Sequence, residues 1–205
     1  AVNIHPSLLP QYRGPVPTAW AIEKGEKNFG ITLHRMDAGV DTGDILLQKK
    51  YPIKKDETGY ELYERAMKLG AYLMRCYFRK IISGSLKPRP QRGMGSYYGK
   101  KDGRCMINWQ QKALDIRNQI RVYAKPFNMA STTFLNKVLF INKASVVENS
   151  RYPAQGPGKI IKVFKDGRFL VSCADACLMI QEYEIAPKLS RAQEVLFLQS
   201  GLKLG

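Results

Sequence analysis

Hydrophobic residues recur at two different spacings along the chain, and these spacings predict its first helices and strands. Residues 1–5 have the pattern of a buried strand that ends in a loop, and apolar, β-branched runs at 30–36 and 44–51 predict two further strands. Apolar positions at helical spacing predict a short helix over 15–24 and a long helix over 58–83. The long helix carries one apolar stripe, typical of core packing, that consists of Leu62, Ala66, Leu69, Leu73, Tyr77 and Ile81.

The pattern changes at residues 84–95, which are rich in glycine, proline and basic residues. Such a stretch cannot form a regular element because proline and glycine interrupt both helices and strands, so it indicates a domain boundary. We place a first domain at residues 1–90 and a second domain, with its linker, at residues 91–205.

The second domain is predicted to contain one helix and a small β structure. A helix is expected over residues 110–123 with Asn108 as its N-cap. Five short β runs follow between residues 129 and 185, broken by turn signals at Asn136-Lys137, Pro153 to Gly158, Asp166-Gly167 and Ala174-Asp175. Five such runs in so short a segment predict a small open barrel of the oligonucleotide/oligosaccharide-binding (OB) type.

Two loops of the first domain carry the residues with the clearest chemistry. Asn3 and His5 open the chain, and Asp41 follows 36 residues after His5. An amide can donate to a developing oxyanion, an imidazole can move protons near neutral pH, and a carboxylate can orient that imidazole or accept a proton from an amine. Each residue also has a structural interpretation, since Asp-Thr-Gly is turn chemistry and a single Asn or His after a strand often only satisfies local hydrogen bonds.

The combination of motifs resembles the 10-formyltetrahydrofolate-dependent formyltransferases. The matching segments are Asn3 to Pro10, Tyr12-Arg13-Gly14, Gly30 to Asp37 and Val40 to Asp44, and the resemblance is strongest over residues 1–90. It implies that Asn3, His5 and Asp41 are catalytic. It also implies that 10-formyltetrahydrofolate is the co-substrate, and that the residues nearest to it are Leu8, Leu9, Pro10, Arg13, Gly14 and Gly39.

The same resemblance implies an α/β fold: the C-terminal part of a Rossmann-like formyltransferase domain, followed by an OB-like β-barrel domain. In the family the Asn-x-His motif lies about halfway along the catalytic domain, whereas here it begins two residues after the start of the chain. We therefore expect the chain to be truncated or completed by another chain, because the strands present are too few to cover both faces of a parallel sheet.

The formyl acceptor is left open between several candidates. Residues 30–36 resemble the amino-sugar branch, and the segment 180–188 keeps little of the ending typical of methionyl-tRNA formyltransferases, so a nucleotide-linked amino sugar is slightly favoured over initiator tRNA. Glycinamide ribonucleotide formyltransferase shares the run from His5 to Pro10 but has no second domain. The last alternative is a nucleic-acid-binding module without catalytic activity. Only the positive charge of the chain and the predicted barrel support it.

The charge of the chain is strongly positive, at a formal +16. Eleven Lys or Arg residues and one acid lie between Arg65 and Arg104, which fits a solvated helix face or a surface for a polyanion. The four cysteines show no metal-ligand spacing, so no metal is expected. With no membrane-spanning run and no leader pattern, residence in the cytoplasm is the expectation, and a homodimer is left open.

Overall fold

The computed structural model divides the chain into two compact units, Ala1–Asp102 and Gly103–Gly205. The boundary that the sequence places after residue 90 stays a prediction. Three residues of the basic stretch, Lys101, Asp102 and Arg104, lie outside the described residues. The structure describes residues 1–100, 105–147, 152–189, 193, 198 and 202–205.

The first unit contains a three-stranded sheet and two helices. The predicted strands and helices of this unit are confirmed as β1 (Val2–His5), α1 (Pro17–Glu23), β2 (Asn28–Arg35), β3 (Ile45–Pro52) and α2 (Gly59–Ile82). The strands pair antiparallel in the order β1-β2-β3, so successive strands run in opposite directions. Helix α2 packs on this sheet, and an added Cβ at Gly70 of α2 would lie 2.9 Å from Cγ2 of Ile4.

Helix α2 begins at a capping box formed by Thr58 and Glu61. The Thr58 side chain accepts from the backbone N–H of Glu61 at 3.2 Å, and the Glu61 carboxylate accepts from the backbone N–H of Thr58 at 2.9 Å. Two backbone donors that the helix leaves unpaired are thereby satisfied. Three of the six residues in the predicted apolar stripe are buried in the core, namely Leu62, Ala66 and Leu73. The prediction is therefore confirmed for half of the stripe.

Helix α3 of the second unit begins at Ala113 and ends at Tyr123, so the predicted N-cap at Asn108 is wrong. The Asn108 side chain instead accepts from the backbone N–H of Gln110 at 3.0 Å in a local turn. The first helical N–H, that of Ala113, donates to the carboxylate of Asp175 at 2.8 Å. A side chain 62 residues away in the chain thus supplies the cap, which local sequence cannot indicate.

The second unit contains one five-stranded antiparallel sheet in the order β4-β5-β8-β7-β6. Three of the four predicted breaks fall between its strands, and the fourth, Asn136-Lys137, includes the first residue of β5. None of its strands joins the sheet of the first unit. Its core includes Ile116 and Ile120 of α3 packed with Phe169 and Leu178 of the sheet. The strands are β4 (Ala130–Phe134), β5 (Lys137–Val147), β6 (Ile160–Val163), β7 (Phe169–Ser172) and β8 (Cys177–Ala186).

The predicted OB-type barrel is not confirmed. Edge strands β4 and β6 do not pair with each other among the described residues. Residues 202–205 hydrogen bond near both edges instead. Gly205 donates to the carbonyl of Thr133 at 2.9 Å, and the Ile160 N–H donates to the carbonyl of Leu202 at 2.8 Å. The antiparallel five-stranded sheet is the part of the prediction that the structure supports.

Within the described parts of the chain, no helix combines the length and the apolar character that a membrane crossing requires.

Candidate active site

Strand β1 presents Asn3 and His5 on the same face of the first sheet. Side chains alternate across a strand, so the residue between them, Ile4, points to the opposite face and meets α2. His5 is 5% exposed, which removes its ring from most of the solvent. The strand therefore separates polar chemistry on one face from core packing on the other.

Asp41 comes from the loop between β2 and β3 and meets both residues. Its Oδ1 accepts from Nδ2 of Asn3 at 3.2 Å, and its Oδ2 lies 3.5 Å from Nδ1 of His5. The Asp41 side chain is 12% exposed. The structure thus brings together the three residues whose catalytic roles the sequence predicts, while the roles themselves stay predictions.

His34 of β2 joins this group. Its Nε2 lies 3.2 Å from Nδ2 of Asn3 and 3.5 Å from Oδ1 of Asp41, and the residue is 2% exposed. The signal that reveals it is strand register, because Asn3 and His34 are direct antiparallel partners of β1 and β2. That register is not evident from either strand alone.

The hydrogen bonds of His34 fix its tautomer. Its Nδ1 lies 2.8 Å from the carbonyl of Arg35, which can only accept, so Nδ1 carries the proton of the neutral ring. Nε2 of the neutral ring is therefore an acceptor, and Nδ2 of Asn3 donates to it. The Asn3 amide thus directs its N–H groups at His34 and Asp41 in this structure.

His5 is held between a carbonyl and a carboxylate. Its Nε2 donates to the carbonyl of Tyr12 at 2.8 Å, and its Nδ1 faces Asp41. Burial lowers the pKa of His5, and the nearby His34 adds to that effect, while the Tyr12 carbonyl and the Asp41 carboxylate raise it. Burial is the largest of these effects, so the pKa lies below its ordinary value and the neutral ring dominates at pH 7.

Asp41 is also held by the backbone of the loop that follows β1. The N–H of Gly14 donates to Oδ2 of Asp41 at 2.9 Å. Gly14 has φ of 92°, and a Cβ at this position would lie 2.4 Å from the carbonyl oxygen of Tyr98. Only glycine fits a position with both restrictions. This residue is predicted to lie near the co-substrate, and the structure gives it a contact with the carboxylate.

The Leu8-Leu9-Pro10 segment forms a fixed wall beside the cluster. Leu8 packs against Gly30 of β2, and Leu9 is buried. Gln48 of β3 donates to the carbonyl of Leu9 at 2.9 Å, which ties the segment to the sheet. The predicted contact of these residues with a folate stays a prediction.

The remaining predicted co-substrate residues are Arg13, next to Gly14 in the chain, and Gly39, in the loop that carries Asp41. Arg13 donates to the Gln91 side chain at 2.7 Å. Gly39 is exposed, and its N–H donates to Asp37 at 3.2 Å within the same loop as Asp41. Their folate contacts likewise stay predictions.

An open cavity of about 370 Å³ adjoins this wall. Pro10, Gln48, Arg89 and Arg92 are among its lining residues, and both arginines are exposed. Among the residues that the structure describes, no group of His, Cys, Asp and Glu side chains forms a set that could hold a metal ion. The side chains of the cluster itself offer hydrogen bonding, charge and proton transfer.

Two sequence models of one family match the chain. Residues 1–75 match the formyl transferase model, and residues 100–197 match the model of the formyl transferase C-terminal domain. The chain belongs to the formyl transferase family. The first match contains the Asn3, His5 and Asp41 cluster, and the second contains the five-stranded sheet.

Curated relatives of this formyl transferase chain are methionyl-tRNA formyltransferases. The chain is 40% identical over 189 residues to that of Alkaliphilus metalliredigens, and the match covers 91% of this chain and 59% of the relative. The chain thus spans less than two thirds of the length of this relative.

Solved structures similar to the chain include two sugar formyltransferases. An N-formyltransferase from Helicobacter canadensis, in complex with folinic acid and dTDP-3-aminofucose, matches with a TM-score of 0.72 and 25% identity over 89% of this chain and 65% of its own. A sugar 3N-formyltransferase solved with dTDP and 5-N-formyl-THF matches with a TM-score of 0.72 and 28% identity over 92% of this chain and 66% of its own.

The lowered pKa of His5 predicts a pH dependence of stability in this formyl transferase chain. An unfolded histidine has a pKa of about 6.5, so below that pH the unfolded state binds a proton that the folded state resists. The free energy of unfolding should therefore decline as pH falls from about 6.5 to the folded pKa of His5. Urea titrations of the chain and of His5→Gln at about pH 7.5 and about pH 5.5 measure this. We expect a smaller loss in His5→Gln, and equal losses in both would contradict the assignment.

Proposed function

We propose that this chain carries the catalytic residues of an enzyme that transfers a formyl group from 10-formyltetrahydrofolate to the amine of a nucleotide-linked amino sugar. The co-substrate supplies an activated formyl group whose carbonyl oxygen gains negative charge when the amine attacks. The observation that carries the proposal is the convergence of Asn3, His5 and Asp41 in one cluster, in which His5 is buried and the other two are partly buried. Membership of the formyl transferase family supports formyl transfer as the reaction.

Asn3 and His5 are the donors that we assign to the developing oxyanion. Both lie on the polar face of β1 and can each supply an N–H group. In the structure these N–H groups are directed to Asp41, His34 and the Tyr12 carbonyl. Donation to an oxyanion therefore requires the amide or the ring to exchange one of these partners, as catalytic hydrogen bonds often form only with substrate bound.

Asp41 is the group that we assign to proton transfer and orientation. Its carboxylate faces Nδ1 of His5 and accepts from Gly14 and Asn3, so its position is fixed from three directions. When the amine attacks the formyl carbon, its nitrogen becomes positively charged and must lose a proton, and a carboxylate held in this way can accept it. The bond between the formyl carbon and N10 of the folate then breaks, and tetrahydrofolate leaves with a proton on N10. The low exposure of the site strengthens these charge interactions because less water screens them.

An amino-sugar acceptor is supported by the two sugar formyltransferase structures. Each covers about nine tenths of this chain with a TM-score of 0.72, and each was solved with a folate derivative and a dTDP compound. The resemblance of residues 30–36 to the amino-sugar branch supports the same acceptor. Two exposed arginines, Arg89 and Arg92, line the cavity at Leu9 and Pro10 and are available for the diphosphate of such a substrate.

Methionyl-tRNA is the second candidate acceptor. The relative from Alkaliphilus metalliredigens is 40% identical to this chain and is a methionyl-tRNA formyltransferase. The positive charge of the chain also fits an RNA partner. A match to the formyl transferase C-terminal domain disfavours the glycinamide ribonucleotide enzyme, which has no second domain.

The proposal is tested by following a labelled formyl group. The protein that contains this chain is supplied with 10-formyltetrahydrofolate labelled in its formyl carbon and with a dTDP-linked amino sugar. We expect the label in a sugar formamide, identified by mass spectrometry. Label that appears only as free formate, with no formamide on any amine acceptor, would exclude formyl transfer as the function.

A further inference from the structure

The backbone of Asp41 adopts a conformation that needs support. Its φ is 56°, in the left-handed region that residues other than glycine adopt at some cost in energy. The residue directs the carboxylate toward His5 from this conformation. Some part of the surrounding structure must therefore hold the backbone in place.

Part of that support comes from the side chain of Gln91, 50 residues further along the chain. Nε2 of Gln91 donates to the carbonyl of Asp41 at 2.7 Å and to the carbonyl of Gly43 at 2.9 Å. These two carbonyls lie on either side of the turn that follows Asp41. One amide group thus fixes the turn with both of its N–H donors.

The other end of the Gln91 side chain is fixed by Arg13. Its Oε1 accepts from Nε of Arg13 at 3.2 Å and from Nη2 at 2.7 Å. A guanidinium group only donates, so the oxygen of the amide must face Arg13 and the NH₂ group must face the two carbonyls. The orientation of Gln91 is therefore determined by its partners.

The Arg13 segment contacts Asp41 a second time. The N–H of the next residue, Gly14, donates to the Asp41 carboxylate at 2.9 Å. The backbone of Arg13 is in turn held by the carbonyl of Ser96 at 2.8 Å. Arg13, Gly14 and Gln91 thus form one connected network that holds both the backbone and the carboxylate of Asp41.

We propose that Gln91 is a positioning residue for Asp41, and that its two donated hydrogen bonds place the carboxylate against His5. The inference rests on the proposed function for its catalytic meaning. The placement of the Asp41 carboxylate beside the His5 ring can be measured without any substrate.

Histidine titration by NMR provides the test, because the chain has two histidines and His5→Gln identifies the signal of His5. The groups that face the His5 ring are the Asp41 carboxylate, the His34 ring and the Tyr12 carbonyl. Asp41→Asn removes the carboxylate charge and should lower the pKa of His5, because that charge favours the protonated ring. Gln91→Met, which keeps the length of the side chain without its donors, should lower the pKa in the same direction but by less, because the charge is displaced and not removed.

Gln11→Met is the matched control. Gln11 also bridges two segments of the same unit, since it donates to the carbonyl of Met94 at 2.8 Å and accepts from Ser96 at 3.1 Å. It makes no bond to the turn at Asp41 that the structure describes. The His5 pKa should therefore keep its original value in Gln11→Met.

Cooperative thermal unfolding of each variant shows that it is folded. A His5 pKa unchanged in folded Gln91→Met, or an equal fall in Gln11→Met, would overturn the proposal. If Gln91→Met does not fold, Arg13→Met takes its place, because loss of the guanidinium frees the Gln91 amide, and an unchanged His5 pKa there would overturn the proposal equally. A protein that shows the expected shifts but transfers no formyl group would refute the proposed function and leave the positioning intact.

Discussion

Replacement of Asp41 by Asn is expected to lower the rate of formyl transfer by about 10²- to 10⁴-fold. The substitution keeps the shape of the side chain and an oxygen for the Gly14 N–H, but it removes the charge that faces His5 and the group that accepts a proton. Asn3→Ala and His5→Ala each remove an oxyanion donor and are expected to cost about 10²- to 10³-fold. Steady-state kcat and KM for both substrates measure these effects.

Asp37→Asn provides the control for the loop that carries Asp41. Asp37 accepts from Gly39 at 3.2 Å and from Thr42 at 2.7 Å, so it has a structural role in the same loop, and its side chain is exposed. We expect kcat to change far less in this variant than in Asp41→Asn. Equal losses in the two aspartate variants would assign Asp41 a loop role and contradict its part in the chemistry.

Salt is expected to distinguish the two acceptors by orders of magnitude. Binding of a tRNA that involves six to ten phosphates loses about 10³- to 10⁵-fold in affinity between 50 and 200 mM salt, because each neutralised phosphate releases a counterion. A sugar nucleotide offers only its diphosphate and should lose far less. We therefore expect the KM of the acceptor to rise only modestly over this range, measured with the labelled formyl donor.

Charge reversal tests the same surface by mutation. Arg75 and Arg79 lie on α2, and Arg89 and Arg92 line the cavity beside Pro10. Replacing the four by Glu should raise the KM of the sugar nucleotide through the cavity pair, while Lys24→Glu with Lys27→Glu, at the exposed end of α1, should leave it unchanged. If the four changes abolish formylation of methionyl-tRNA and no amino sugar is ever formylated, the sugar assignment is wrong.

The elements of the fold could be predicted where their causes are local. Thr58 and Glu61 start α2 by reciprocal capping, and the turn at Asp166-Gly167 separates β6 from β7 as the sequence indicates. The start of α3 could not be predicted, because its cap is Asp175, from the turn between β7 and β8. The same holds for the C-terminal residues, whose bonds to both sheet edges depend on the assembled fold.

The candidate site could be predicted only in part for the same reason. Asn3, His5 and Asp41 stand in motifs that the family resemblance identifies. His34 enters the cluster through strand register, and Gln91 enters through a fold that brings residue 91 to the turn after residue 41. Periodicity and local motifs contain neither of these long-range relations.

The most direct test of the account is a competition between acceptors. The intact enzyme that contains this chain is given limiting labelled 10-formyltetrahydrofolate together with equal concentrations of a dTDP-linked amino sugar and initiator methionyl-tRNA, and the label is traced in both products. If the amino sugar is the acceptor, the label accumulates as a formamide on the sugar, and Asp41→Asn prevents this. Label that accumulates on methionyl-tRNA, with none on the sugar, would contradict the account.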